Sequence, residues 1–329
     1  MSDSEKHVPQ PAEVVSTPGA DVLVPQSTIA TTATPPTTPA ELELSGVVQV
    51  SERQQARREN WRLIRRRPGF IIGVFIVLVW SGCAALGDRI TPHSPLDYRA
   101  GTHLSPRAKF PFGTDEQGRD VLSRVMAGAR DVMKVAPSAA LLGVVFGVIV
   151  GMVMGYFGGW IDLVLGRIVE AFLALPVTLL ALLAATTLGS STTVVIGVVA
   201  ALFTPVVART VRSAVVAERD LDYVTSAKLR GESSAFVMFK EILPNVSGPI
   251  IVELTVRIGY AVFTVATLSF LGVGPQPPSP DWGAQVSEGF RSISASIWWT
   301  TFFPAAAIAS LVIAVNLIAD SVQSVVEAS

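Results

Sequence analysis

Six stretches of this chain run for roughly the width of a membrane with almost no charge: about residues 70–87, 135–157, 171–188, 194–208, 249–271 and 297–319. Nothing else in the sequence restricts the fold as severely. Hydrocarbon offers no partner to a backbone N–H or C=O. A continuous apolar run that crosses it must satisfy its own hydrogen bonds, and it does so as an α-helix. The expected fold is an all-α membrane protein with six transmembrane helices. Composition agrees: half of the 329 residues are hydrophobic, 16% are charged, and mean hydropathy is +0.51. Soluble domains carry roughly 25% charge.

The charges are concentrated before the first span and in the loops. Residues 1–50 are rich in Pro, Thr, Ser, Ala and Val, with no periodicity and few aromatics, and read as a disordered cytoplasmic tail. No basic start leads into an apolar core there, as a signal peptide would require. A basic segment follows at 51–69, with Arg53, Arg57, Arg58, Arg62, Arg65, Arg66 and Arg67. Arginines crowded before a first span favour retention of that side in the cytoplasm.

Counting six spans from a cytoplasmic start puts the loop at 88–134 outside, the segment at 219–245 inside, and the end at 321–329 back inside. The link at 158–167 is also inside and the loop at 273–296 outside. The outer loop 88–134 carries eight basic and six acidic residues, against the simplest form of the charge rule. Its length weakens that rule, and the arginine cluster dominates.

Several chemistries are excluded. Cys83 is the only cysteine, so no internal disulfide forms. His7, His93 and His103 have no metal-binding spacing. There is no phosphate-binding GxxxxGK[ST] loop, and a net charge of −1 gives no electrostatic case for nucleic acid. No catalytic residues, bound cofactor or metal are expected in this chain, and it is not expected to be an enzyme.

Three internal signals remain. Gly143, Gly147, Gly151 and Gly155, continued by Gly159, recur every four residues and fall on one slowly drifting helix face. Small residues there let another helix approach at backbone distance, either as fixed packing or as a sliding contact. Pro176, Pro205 and Pro304 lie within the third, fourth and sixth spans and can kink them. Glu253 and Arg257 stand four apart in the fifth span, where they can pair on one helix face. Charges in hydrocarbon cost about 2.5–3.5 kcal/mol each and face protein or water. The pair is read either as structural or as part of a translocation path.

The segment 219–245 is polar, helix-forming and set between two spans. Leu221 and Val224 are expected on one face of a first short helix. Gly231 then permits a turn closed to other residues. Phe236, Phe239 and Leu243 form an apolar stripe at i, i+3 and i+7, ended by Pro244. Aromatics exposed in such a loop call for a cover, and a partner's groove would supply one.

The residues Asp222-Tyr223-Val224, Thr225-Ser226-Ala227, Gly231 and Ile242-Leu243-Pro244 resemble the coupling loop of bacterial ABC importer permeases, in the form used by peptide importers. The loop departs from the general pattern: its glutamate and first alanine are replaced, and its isoleucine is displaced by one. Three long segments point the same way: FGTDEQGRDVLSRVMAGAR at 112–130, GYFGGWIDLVLGRIVEAFLALP at 155–176 and LSFLGVGPQPPSPDWGAQVSEG at 268–289. With NLIAD at 316–320, they resemble, in order and spacing, the C-type permease of dipeptide and oligopeptide importers. The resemblance runs from about Trp61 to Gln323 and omits the first 50 residues.

What the resemblance implies goes beyond the residues themselves. The fold would be a type I ABC importer permease bundle, with its core at 135–320. The chain would sit in the bacterial cytoplasmic membrane, among membrane lipid, with both termini cytoplasmic. It would pair with a second, paralogous permease. One or two ABC ATPase subunits would bind ATP and Mg beneath, and an extracytoplasmic substrate-binding protein would deliver peptide. Asp222, Tyr223, Ala227, Gly231, Phe236, Phe239, Leu243 and Pro244 would belong to the ATPase-coupling loop. Related permeases also serve nickel complexes and haem. The competing reading from the residues alone is an ion-driven secondary transporter or a channel. The scarcity of titratable groups within the spans argues against it, as the loop does. A membrane receptor or scaffold would need neither the loop nor the glycines.

Overall fold

Pro68 opens the first helix, where a missing N–H is harmless, and α1 continues over Pro68–Leu86 through a uniformly apolar sequence. The computed structural model describes residues 67–98, 101–275 and 278–326. The tail expected at 1–50 and nearly all of the basic segment at 51–69 lie outside the described residues, as do the last three positions of the segment at 321–329.

The described residues are helical throughout, apart from loops with two isolated β-bridges. After α1 come α2 (Val121–Phe157), α3 (Gly159–Leu173), α4 (Val177–Leu188), α5 (Thr192–Glu218) and α6 (Asp222–Leu229). The chain then forms α7 (Ser247–Phe270), α8 (Trp282–Phe290) and α9 (Trp299–Val326). Among the described residues, α1, α2, α5, α7 and α9 are each long and apolar enough to cross a membrane, and α3 with α4 makes a sixth span if the bent pair counts as one.

The boundaries differ from the hydropathy reading: α5 runs ten residues past the expected 208 and α9 seven past 319, and three further differences concern α2 and α3. First, α2 begins at Val121 rather than near 135, N-capped by Asp120, whose carboxylate accepts from Ser123 N. Hydropathy registers an uninterrupted apolar run, and the first turns of α2 are broken by Arg124, Arg130, Asp131 and Lys134. At 1.5 Å per residue its 37 residues span about 55 Å. Hydrocarbon occupies about 30 Å of that. The loop expected at 88–134 therefore ends at Asp120. Second, the third span is not one helix over 171–188. It is broken between Leu173 and Val177 by an 88° bend. Pro176 lacks a donor and disfavours helix at Leu175. By contrast, Pro205 and Pro304 lie inside α5 and α9 without ending them. Third, the link expected at 158–167 is the first part of α3. Arg212 of α5 holds α3 in place, its Nε and Nη2 donating to the two carboxylate oxygens of Asp162.

The α2–α5 pair is the spine of the molecule. One apolar cluster surrounds its upper half, with Val132, Ala136, Val199 and Phe203 packed against α7 and α9. A second lies at the other end, where Met152, Val211 and Val215 meet Val224, Ala227, Val237 and Ile242 of the 219–245 segment.

Candidate functional site

The 219–245 segment is a platform fixed to the end of the spine. Asp222 is exposed in the first turn of α6, where a carboxylate complements the helix dipole. Val224 and Ala227 are fully buried. Tyr223 is half-buried, and its hydroxyl donates to Glu218 at 2.7 Å. Burial, then the Glu218 carboxylate, push the phenol up to about 12. Lys228 lies 5.4 Å over the Tyr156 ring of α2. Leu221, expected on one helix face with Val224, instead lies exposed just before the helix as its N-cap residue.

Gly231 ends this arm at φ +79, its N–H donating to Lys228 O at 3.0 Å, while Glu232 N reaches back to Ala227 O at 3.3 Å. That closure satisfies last-turn carbonyls and needs a left-handed residue.

The second arm begins with Ser233, whose hydroxyl accepts from Phe236 N at 3.3 Å. It passes through a π-helical turn, Val237–Ile242, in which Leu243 N donates to Met238 O. The wide turn advances the register by one residue. Val237, Met238 and Ile242 point into the core, while Phe236 and Phe239 stay 39% and 48% exposed. The stripe expected at 236, 239 and 243 is therefore divided, since Leu243 packs half-buried against the inner cluster. Pro244, with no N–H to give, follows and is exposed.

The glycines of α2 lie against α5. A Cβ at Gly143 would stand 2.9 Å from Phe203 Cβ, and one at Gly147 2.5 Å from Val207 Cβ. At Gly151 it would be 2.6 Å from Ala208 O, and at Gly155 2.7 Å from Val215 Cβ. With Val211 Cβ 2.8 Å from the Gly151 position, Phe203, Val207, Val211 and Val215 repeat every four residues opposite the glycines, and the ladder packs against a helix of this chain. Gly159 does not belong to it, because α2 ends at Phe157 and Gly159 starts the next helix in open space.

Glu253 and Arg257 lie together on α7, with Arg257 Nε donating to Glu253 Oε2 at 2.8 Å and both side chains 14% exposed. Thr210 of α5 donates to the other carboxylate oxygen at 2.8 Å. The guanidinium carbon lies 5.8 Å from the Phe203 ring centre and 5.2 Å from that of Tyr260.

At the opposite end of the spine is a cluster that the sequence reading did not identify. Arg119 and Arg124 are only 1% and 2% exposed. Arg119 donates to Asp115 at 2.6 Å and Glu288 at 2.8 Å; Arg124 donates to the same two carboxylates at 2.6 and 2.7 Å. Around it, Trp282 Nε1 donates to Val125 O and Gln285 to Arg124 O. Asp281 caps α8, accepting from Ala284 N, and burial raises its carboxyl above the ordinary value. Two segments more than 150 residues apart are thereby joined. The i, i+4 spacing of Asp115 and Arg119 was a local signal, but nothing local points to Glu288. Two of the loop's basic residues are thus neutralised in ion pairs, which lessens their weight as topology signals.

A family model described as "Binding-protein-dependent transport system inner membrane component" matches residues 147–329. The chain is 35% identical over 271 residues to the dipeptide transport system permease protein DppC of Bacillus subtilis, covering 82% of this chain and 85% of that protein. It is 33% identical over 277 residues to the protein of the same name from Haemophilus influenzae, covering 82% and 94%. It is 33% identical over 273 residues to the glutathione transport system permease protein GsiD of Pectobacterium atrosepticum, covering 82% and 90%.

Proposed function

The chain belongs to the inner-membrane-component family of binding-protein-dependent transport systems, and from that premise we propose that it is the membrane-spanning permease subunit of an ATP-driven peptide importer. It is a multi-pass membrane protein with a type I permease bundle. Permeases of this family work with ATPases and a binding protein. In our reading this chain pairs with a second, paralogous permease, and one or two ATPase subunits hold ATP and Mg beneath the pair. A binding protein presents cargo at the Arg119–Arg124 end. Relatives named for dipeptides and for glutathione favour short peptides over nickel complexes or haem. Family membership sets aside an ion-driven carrier or channel.

The observation that carries this reading is the platform of α6 and the following arm. Its inner face is locked into the spine by Val224, Ala227, Val237 and Ile242, while Phe236 and Phe239 face outward. A stiff element with an exposed aromatic edge can pass motion from a docked ATPase to the bundle. Reconstituted with its partners, the chain should support ATP-dependent peptide uptake. Gly231→Val forces a β-branched residue to positive φ, a strain of about 1–2 kcal/mol or more. Uptake should fall roughly tenfold or more while the membrane helices melt normally, whereas Gly231→Asn, which tolerates that conformation, should keep most of it. Wild-type uptake by Gly231→Val would remove the coupling role.

We further propose a cytoplasmic platform and N-terminus, supported by the arginines before α1. Gln117 and Glu232 are exposed at opposite ends of the bundle. In a Cys83→Ala background, a membrane-impermeant thiol reagent on intact cells should label Gln117→Cys and spare Glu232→Cys. The reverse pattern would invert the topology.

A further inference from the structure

We propose that Arg257 is a transient receptor for the C-terminal carboxylate of a peptide crossing the membrane, and that Glu253 keeps that hold weak. The inference rests on the peptide-importer reading. Arg257 lies near the middle of α7, about 15 Å along the axis from Ser247. A cation at that depth is expensive unless it meets protein or a water-filled path.

The surroundings use only one side of the guanidinium. Its Nε is spent on Glu253, and its flank is set by the rings of Phe203 and Tyr260. Among the described residues no hydrogen bond is made by either Nη. Both oxygens of Glu253 are engaged instead, one by Arg257 and the other by Thr210. A planar cation held at its Nε side, with an unused Nη edge, matches the two oxygens of a carboxylate. The flanking Tyr260 is itself exposed on α7.

Glu253 gives the site its second property. A lone guanidinium in a low-dielectric path would bind a carboxylate too well to release it. A permanent anionic partner subtracts from that attraction, as a conduction path requires. Removing Glu253 should therefore strengthen the hold and slow passage.

The test uses the assembled complex in liposomes, with a radiolabelled free-acid peptide lacking acidic side chains and a benzophenone amino acid at position 260, which keeps an aromatic ring there. In the parent complex the peptide should be taken up and cross-linked. Arg257→Gln should lower cross-linking roughly fivefold or more, and Arg257→Lys should lower it less, because an ammonium keeps the charge without the fork. Glu253→Gln should raise cross-linking while reducing the turnover rate. The C-terminal amide of the same peptide, where the binding protein retains it, should cross-link poorly in every form.

Unchanged cross-linking in Arg257→Gln, at matched thermal stability, would overturn the proposal. So would a loss of complex stability in that variant with no change in the Glu253→Gln cross-link, which would point to a carboxylate of the partner permease. If Arg257→Gln does not assemble, Arg257→Lys and Glu253→Gln decide the matter by their opposite expected directions. Absence of any peptide uptake by the parent complex would sink the peptide reading instead.

Discussion

Gly147→Ala is expected to loosen the α2–α5 interface and cost about 1–3 kcal/mol, and the double change Gly147→Ala/Gly151→Ala to cost more than either alone. One methyl group suffices because there is no room for it: at Gly147 it would fall 2.5 Å from Val207 Cβ, and at Gly151 2.6 Å from the Ala208 carbonyl oxygen. The obstacles are a branched side chain and main chain, neither of which can swing aside. Alanine is otherwise the better helix former by nearly 1 kcal/mol, so the sign of the effect is diagnostic. Gly197, on α5, supplies the control, since its added methyl meets nothing within 4 Å. Gly197→Ala should leave the melting temperature of the detergent-solubilised complex unchanged or higher. Val207→Gly should recover part of the loss caused by Gly147→Ala. Equal melting temperatures for Gly147→Ala and Gly197→Ala would refute the packing argument.

Arg124→Met is expected to cost about 3–5 kcal/mol, because it strands two carboxylates on one remaining guanidinium in a buried site. The compensated double variant Arg124→Met/Glu288→Leu leaves Arg119 paired with Asp115 and should regain much of the stability. Arg167, exposed and paired only with the exposed Glu170, gives the contrast. Its replacement by methionine should change stability by no more than about 0.5 kcal/mol, as for surface ion pairs generally. The readout is thermal melting, together with proteolysis of the 101–120 loop, which should become accessible in Arg124→Met. Strictly additive losses in the double variant would mean that the four groups do not act as a unit.

Much of this architecture was legible from residue patterns, and the exceptions have physical reasons. Apolar runs located the spans because lipid contact leaves a compositional mark. They missed the first turns of α2, where Arg124, Arg130, Asp131 and Lys134 interrupt the apolar run. Pro176 marked a kink, but not that the chain would turn through 88° there, because the angle is set by packing against α5. The period of four in the glycines identified a close helix contact, and the partner became known only when Val207 and Val215 were found opposite. The i, i+4 spacing pointed to an ion pair at Glu253 and Arg257. It could not supply Thr210, Phe203 or the Glu288 half of the outer cluster, which come from elements distant in sequence. The π-helical turn also escaped, since a single-residue register shift leaves hydrophobic periodicity nearly intact over so short a segment.

The α2–α5 contact has a mechanical consequence. Two helices that touch at backbone distance from Gly143 to Gly155, about 18 Å along the axis, leave no space between them over that stretch. One end meets the platform: Arg219 Nη1 donates to Gly155 O at 2.9 Å. The outer end of α2 alone, roughly 45 Å from Gly155 along its axis, holds the Arg124 cluster. In the coupling role proposed above, a push on the platform would be carried through this contact as a joint tilt of α2 and α5. Compliance must reside in the parts that are discontinuous, and the break at 174–176 between α3 and α4 is the largest of these among the described residues. In that role the break would serve as a joint, where small residue changes should alter the amplitude of movement without altering its direction.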